Sequence, residues 1–263
     1  MRSRVLILTL ASLCAIALAG PVSLLADDKP LYVNGIDAAF PPFSYIDEQG
    51  KAAGFDVEVV EWIADKMGFD VKTVPVDWDA IIPTLLAGNI DLIASGMTIT
   101  APRMEQVNFT DPYWVVNLAV VVRAQPEEEG GTLLVPELDI FSAVNEGSTI
   151  GVQRSTTSQD WLEENVVDKG TDITLKLYDS FLFAIEDLLI GRVDAAVMDE
   201  PTAKTAIAGR NAAIVGTIDT GEIYGYAVRK DDAELISLLN EGLELIQADP
   251  EWDRLIDKWL VGK

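Results

Sequence analysis

From Leu31 to Val215 the chain states one pattern twice, a short β-prone run followed by an amphipathic stretch, and this repetition constrains its fold more than any other feature. The first pass reads strand Leu31 to Ile36, loop Asp37 to Gly54, helix Phe55 to Met67 stopped by Gly68, strand Val71 to Val76, helix Ile81 to Ala87 stopped by Gly88, and strand Ile90 to Ala94. The second reads strand Thr149 to Gln153, helix Ser158 to Val166, strand Ile173 to Tyr178, helix Ser180 to Ile190, strand Val193 to Met198, helix Pro201 to Ala208 and strand Ala213 to Val215. In the first helix Val57, Val60, Ile63, Ala64 and Met67 recur at three- and four-residue steps, which makes one apolar face. Strands alternating with such helices imply a parallel sheet covered by helices. The repeat even has a local echo: Leu85-Leu-Ala-Gly-Asn-Ile-Asp91 and Leu188-Leu-Ile-Gly-Arg-Val-Asp194 each end a helix on Gly and enter a buried strand. Two lobes of one α/β architecture follow. A last amphipathic pattern, Ala233 to Leu260, lacks a neighbouring strand and is expected to cover one of the lobes.

The N-terminus carries its own signal. Arg2 and Arg4 precede an apolar run from Val5 to Ala19 that ends in Ala17-Leu-Ala19, so residues 1–26 read as a signal peptide cut after Ala19 or Ala26. Cys14 follows Leu13, where a lipid-attachment signal wants a small residue, so an exported soluble protein is expected. The remaining chain of roughly 235 residues suits two small domains. It keeps no cysteine, and the whole sequence has no histidine, which argues against thiol catalysis, triad hydrolases and zinc enzymes. No metal or cofactor is expected. Losing residues 1–26 removes two arginines and no acid, deepening the formal charge from −24 to −26. Such a chain repels nucleic acid and anionic membranes. The charge is spread over helix faces as a solvated surface, with one run, Glu127-Glu-Glu129 before Gly130-Gly131, that reads as a loop.

One segment reads as a receptor for a small carboxylate. Ala94-Ser-Gly-Met-Thr-Ile-Thr-Ala-Pro-Arg103 leaves a buried strand and enters a short helix through Thr100 and Pro102. Turns of this kind leave backbone N–H groups directed at one spot, and the Thr98 hydroxyl and the planar fork of Arg103 suit the two oxygens of an α-carboxylate. The alternative is an ordinary loop whose Arg pairs with a structural Asp.

The chain resembles the bacterial extracellular solute-binding proteins that serve ABC importers of polar amino acids, over nearly the whole mature length. The resemblance rests on Asp37 to Tyr45, Gly54-Phe-Asp56, Trp78 to Pro83, Asp91 to Arg103, Phe109 to Tyr113, Gly151 to Ser158 and Gly191 to Pro201, in that order. It implies two Rossmann-like α/β lobes joined by a two-strand hinge, the periplasmic binding protein fold. Lobe 1 would comprise 27–116 and 223–263, and lobe 2 would comprise 117–222, with the C-terminal segment on lobe 1. It further implies a monomer in the periplasm that hands a free amino acid to a permease in the inner membrane.

The same resemblance assigns roles. Arg103 would hold the ligand α-carboxylate, with further donors from Ser95, Gly96, Thr98 and the backbone at Thr156 and Thr157. Asp199 would bind the α-ammonium. Phe40 and Trp78 would sandwich the side chain, and Asp37 and Gln153 would meet its distal end. An aspartate there disfavours an acidic ligand, so arginine, lysine or glutamine is expected, arginine first. A competing reading is an exported cyclohexadienyl (prephenate or arogenate) dehydratase on the same scaffold, for which Glu200 is the candidate acid. Asp199 and Trp78 favour the binding protein.

Overall fold

A computed structural model describes residues 29–126, 133–134 and 143–261. The segment read as a signal peptide and the loop expected at Glu127–Glu129 lie outside the described residues. The chain order is β1 (Leu31–Ile36), β2 (Ala39–Phe40), β3 (Ser44–Ile46), β4 (Ala52–Ala53), α1 (Phe55–Met67), β5 (Asp70–Pro75), α2 (Ile81–Leu86), β6 (Leu92–Ile93), α3 (Ala101–Met104), β7 (Asn108–Phe109) and β8 (Trp114–Arg123). There follow β9 (Gln125–Pro126), β10 (Leu133–Leu134), β11 (Thr149–Gln153), α4 (Thr157–Leu162), β12 (Thr174–Tyr178), α5 (Phe181–Leu189), β13 (Ala195–Asp199), α6 (Glu200–Ile207), β14 (Ala212–Tyr224), β15 (Ala227–Val228), α7 (Ala233–Gln247) and α8 (Pro250–Ile256).

Two five-stranded sheets carry the fold, in orders β5-β1-β6-β15-β7 and β12-β11-β13-β8-β14. The expected parallel core is present in each, as β5-β1-β6 and β12-β11-β13, but a fourth strand runs antiparallel in both. That strand is β15 in the first sheet and β8 in the second, each supplied by the chain as it passes between lobes. Side-chain alternation then feeds helices on both faces. Leu118, Val120, Ile150 and Val197 bury against Leu162 of α4, while Ala119, Val121, Ala196 and Met198 bury with Phe181, Ile185 and Leu188 of α5. The echo in the sequence has a physical purpose. Asp91 and Asp194, its last residues, each accept a backbone N–H from the first strand of their own repeat, at Val33 and Thr149, over 2.8 Å.

Four sequence expectations need revision. The segment Asp37 to Gly54 is not plain loop, since it holds the antiparallel sheet β2-β3-β4. The helix expected at Ser158 to Val166 ends as α-helix at Leu162 and continues through a π-type turn, Glu163–Val167. The strand begun at Ala213 runs on to Tyr224, because it pairs along β8 rather than ending at a loop. The C-terminal pattern is two helices, broken where Asp249 accepts the N–H of Glu251 and Pro250 opens a new first turn.

The C-terminal helix α7 lies on α1, where Gly242 faces Ile63 so closely that any Cβ would overlap its side chain. Neither partner is exposed. Gly242→Leu is therefore expected to lower the unfolding free energy by about 1–3 kcal/mol through overpacking, read as a drop in denaturation midpoint. An unchanged midpoint would mean that the two helices separate freely.

Candidate functional site

All eleven residues singled out from the sequence line one cavity between the two sheets. They arrive from both sides of it. Asp37, Phe40, Trp78, Ser95, Gly96, Thr98 and Arg103 come from the first lobe, and Gln153, Thr156, Thr157 and Asp199 from the second. Parallel sheets place such residues naturally, since Asp37, Gln153 and Asp199 all stand at carboxyl ends of strands.

Arg103 sits in α3, whose Thr100 caps the helix and whose Pro102 fits its first turn. Its Nη1 donates to the Thr98 carbonyl at 2.9 Å and its Nη2 to the Ser155 carbonyl at 3.2 Å, which leaves three of the five guanidinium N–H groups for other partners. No carboxylate among the described residues forms an ion pair with it. Burial draws Arg103 below its usual value, against the pull of Asp160, Asp199 and Glu222. Its guanidinium also lies 5.4 Å from the centre of the Trp78 ring, so one face of that ring carries a cation of the protein itself.

Asp199 ends β13 and is buried. Its Oδ2 accepts the Tyr224 hydroxyl at 2.6 Å, and its Oδ1 has no partner among the described residues. Burial is the main reason that its carboxyl is pushed up to about 7; the Tyr224 hydrogen bond opposes that rise, Glu222 adds to it, and Arg103 opposes it. Asp37, in the first lobe, accepts Ala39 N–H and, across the cleft, Gln153 Nε2 at 2.8 Å. Burial raises Asp37 as well, against those two bonds. Gln153 spends the same Nε2 on the Asp179 carbonyl, so its Oε1 is the group left to meet a ligand.

Several expected donors have other work. The Ser95 hydroxyl accepts Asp37 N–H at 2.9 Å and lies 2.7 Å from the Ser44 hydroxyl, so it fixes Asp37 in place. Gly96 N–H is directed inward, to buried Asp56 at 2.6 Å, and not toward the cavity. Its missing side chain is still required, because φ is +58° and a Cβ would stand 2.6 Å from the Phe40 ring and 3.2 Å from Tyr224. Thr156 caps α4 by accepting Gln159 N–H and donates to the Gln153 carbonyl at 2.7 Å. The Thr98 and Thr157 hydroxyls both donate to Glu222 Oε2, at 3.2 and 2.9 Å.

Sequence reading missed four contributors. Glu222 and Tyr224 lie on β14 beyond Val215, and their two-residue spacing puts both on one face of it, behind the lining residues Thr98, Thr157 and Asp199 that they bond. Ser155 has a φ of +60°, the one non-glycine positive φ among the described residues, and its carbonyl takes both Trp78 Nε1 at 3.0 Å and Arg103. Asp56 was noted within a motif but given no role. It anchors the loop after β6 by holding Gly96 N–H and the Tyr113 hydroxyl, and burial raises it to about 7.

Comparisons with known proteins identify the family. A model of the bacterial extracellular solute-binding proteins, family 3, matches residues 32–262. The L-arginine-binding protein of Pseudomonas aeruginosa is 34% identical over 243 residues, 89% of this chain and 89% of that one. An ancestral arginine-binding protein solved with arginine is 36% identical with a TM-score of 0.77, covering 88% of this chain and 99% of the other. The ancestral amino acid-binding protein AncCDT-1, a precursor of cyclohexadienyl dehydratase, is also similar: 31% identity, a TM-score of 0.77, and coverage of 88% and 95%.

Asp56 and Asp199 have a measurable signature. Both rise from 3.8 to about 7 on folding, so the folded chain binds more protons than the unfolded chain between those values. Their contribution to stability is therefore largest at low pH and falls as pH rises through that window. Melting of the ligand-free protein should show this fall, and Asp199→Asn should make it shallower. Parallel pH profiles for the two proteins would show that Asp199 titrates at its ordinary value.

Proposed function

The chain belongs to the family 3 extracellular solute-binding proteins of bacteria, and from that membership we propose that it is a periplasmic receptor for a cationic amino acid, arginine first, which it delivers to an ABC importer. One observation carries the reading: a guanidinium without an anionic partner and a buried carboxylate with an unmet oxygen line the same cavity from opposite lobes. An α-amino acid zwitterion complements both charges. Its carboxylate takes the remaining N–H groups of Arg103, and its ammonium takes Asp199 Oδ1, which restores that carboxyl to its ionised form.

The side chain is read by the other end of the cavity. Asp37 is a carboxylate, Gln153 offers an acceptor, and Phe40 and the open face of Trp78 suit a flat cation. Asp37, Asp199 and Glu222 against Arg103 leave the surroundings net negative, which favours a ligand of net positive charge over glutamine. We take lobe 1 as 27–116 with 223–263 and lobe 2 as 117–222, opening and closing about β8 and β14 as a monomer. Ligand that touches both lobes is then the differential affinity that favours the closed form.

The dehydratase reading finds little support in the residue proposed for it. Glu200 pairs with Lys204 at 2.7 Å on α6 and does not line the cavity, so Glu200 is not placed to act as the acid. We read the protein as a binder without chemistry of its own.

A thermal-shift screen of the twenty amino acids should give the largest, concentration-dependent rise with arginine. No shift with any amino acid, or steady turnover of prephenate by pure protein, would overturn the receptor reading. Arg103→Ala should fold and lose about 2–5 kcal/mol of binding free energy by calorimetry, because the ligand carboxylate is then buried unpaired. Near-normal affinity in the folded variant would remove Arg103 from the site.

A further inference from the structure

Glu222 is not a lining residue of the cavity, yet it is bonded to one that each lobe contributes. Its Oε2 accepts the hydroxyl of Thr98, on the loop that follows β6, and the hydroxyl of Thr157, the first residue of α4 in the second lobe. A hydroxyl has a single proton, so both are committed to one carboxylate oxygen. No cation among the described residues pairs with Glu222. The residue also occupies a particular place in the backbone. It pairs with Val116 at the crossing of β14 and β8, immediately after a register irregularity between Ile218 and Glu222 that includes Gly221 at φ +64°. A bulge re-aims the side chains that follow it, and here the first to follow is Glu222. The next backbone groups are tied to the first lobe, through Ile99 N–H to Ile223 carbonyl and Gly225 N–H to Met97 carbonyl. The glutamate thus stands at the boundary between the lobes, with one bond to Thr98 of the first lobe and one to Thr157 of the second.

We propose that Glu222 is a positioning residue that clasps the two lobes by taking the Thr98 and Thr157 hydroxyls at once, and so fixes how far the ligand-free protein closes. Both bonds can exist together only while α4 lies against the loop after β6. Glu222 therefore biases the open–closed equilibrium before ligand arrives, and the same oxygen withholds both hydroxyl protons from the ligand. The carboxylate of a bound amino acid must then be held by Arg103 and backbone N–H groups. That consequence rests on the receptor reading; the clasp itself does not.

The test is the distance between lobes in ligand-free protein. Cys14 is the sole cysteine of the sequence, so one introduced cysteine on an exposed residue of each lobe of the mature chain can be spin-labelled uniquely. Two hydrogen bonds to a charged acceptor hold the closed form, and their loss in Glu222→Ala should reduce the closed-to-open ratio about tenfold. Glu222→Gln, which keeps a neutral acceptor, should lie between Ala and wild type. Thr157→Val removes the second-lobe half of the clasp and should shift the distances the same way, which covers the case of a poorly folding Glu222 variant. Dissociation of bound arginine should speed up by a similar factor in Glu222→Ala. Unchanged distances in Glu222→Ala and in Thr157→Val would overturn the clasp. Absence of binding of every amino acid by the wild type would overturn the receptor reading and leave the distance result standing.

Discussion

The pairing of β8 with β14 is the constraint on which the rest of the structure depends. These are the two passages of the chain between lobes, and they run antiparallel from Arg123 opposite Ala212 to Trp114 opposite Tyr224. Along one end they complete the second sheet; along the other they carry Glu222 and Tyr224 to the residues that line the cavity. A single paired ribbon therefore connects the sheets and supports the residues that hold Thr98, Thr157 and Asp199. Any change in the angle between lobes must bend this ribbon, and the side chains at its bend belong to the site.

Charge is distributed in the site as though a partner were assumed. Buried carboxylates cost free energy unless something positive or several donors meet them. Asp56 is met by Gly96, Tyr113 and Tyr226, whereas Asp199 has Tyr224 alone and an oxygen left over. Both are raised to about 7, but for Asp199 a cation entering the cavity can reverse the rise. Structural and ligand-facing carboxylates are thus distinguished by their unmet hydrogen-bonding capacity and not by their burial.

Much of this was legible in the sequence, and the reasons differ by element. The helix Phe55 to Met67 and the strands Leu31 to Ile36 and Thr149 to Gln153 were read to the residue, because a glycine stop or a buried β-branched run marks their ends. The eleven cavity residues were legible because motifs in a fixed order placed them, although Phe40 and Trp78 taken as isolated aromatics read more often as core. Strand β14 was not, since after Val215 its residues alternate with Gly and Thr in a way that reads as a turn, and only pairing with β8 extends it. Glu222 was invisible for the same reason. Nothing local separates it from the many exposed glutamates of an acidic chain until the bulge and the crossing bring it to Thr98 and Thr157.

The unequal threading of the two lobes sets the order in which they can mature. Sheet two draws all of its strands from one continuous stretch, β8 to β14, whereas β7 in sheet one pairs only with β15, which comes after that stretch. A chain emerging from its N-terminus can thus finish the second lobe while the first still lacks its fourth strand and the helices α7 and α8. The first lobe must wait, with β6 exposed along one edge, for residues more than a hundred positions away. The larger loop to be closed makes it the slower half to assemble and the half with the greater exposure to mispairing.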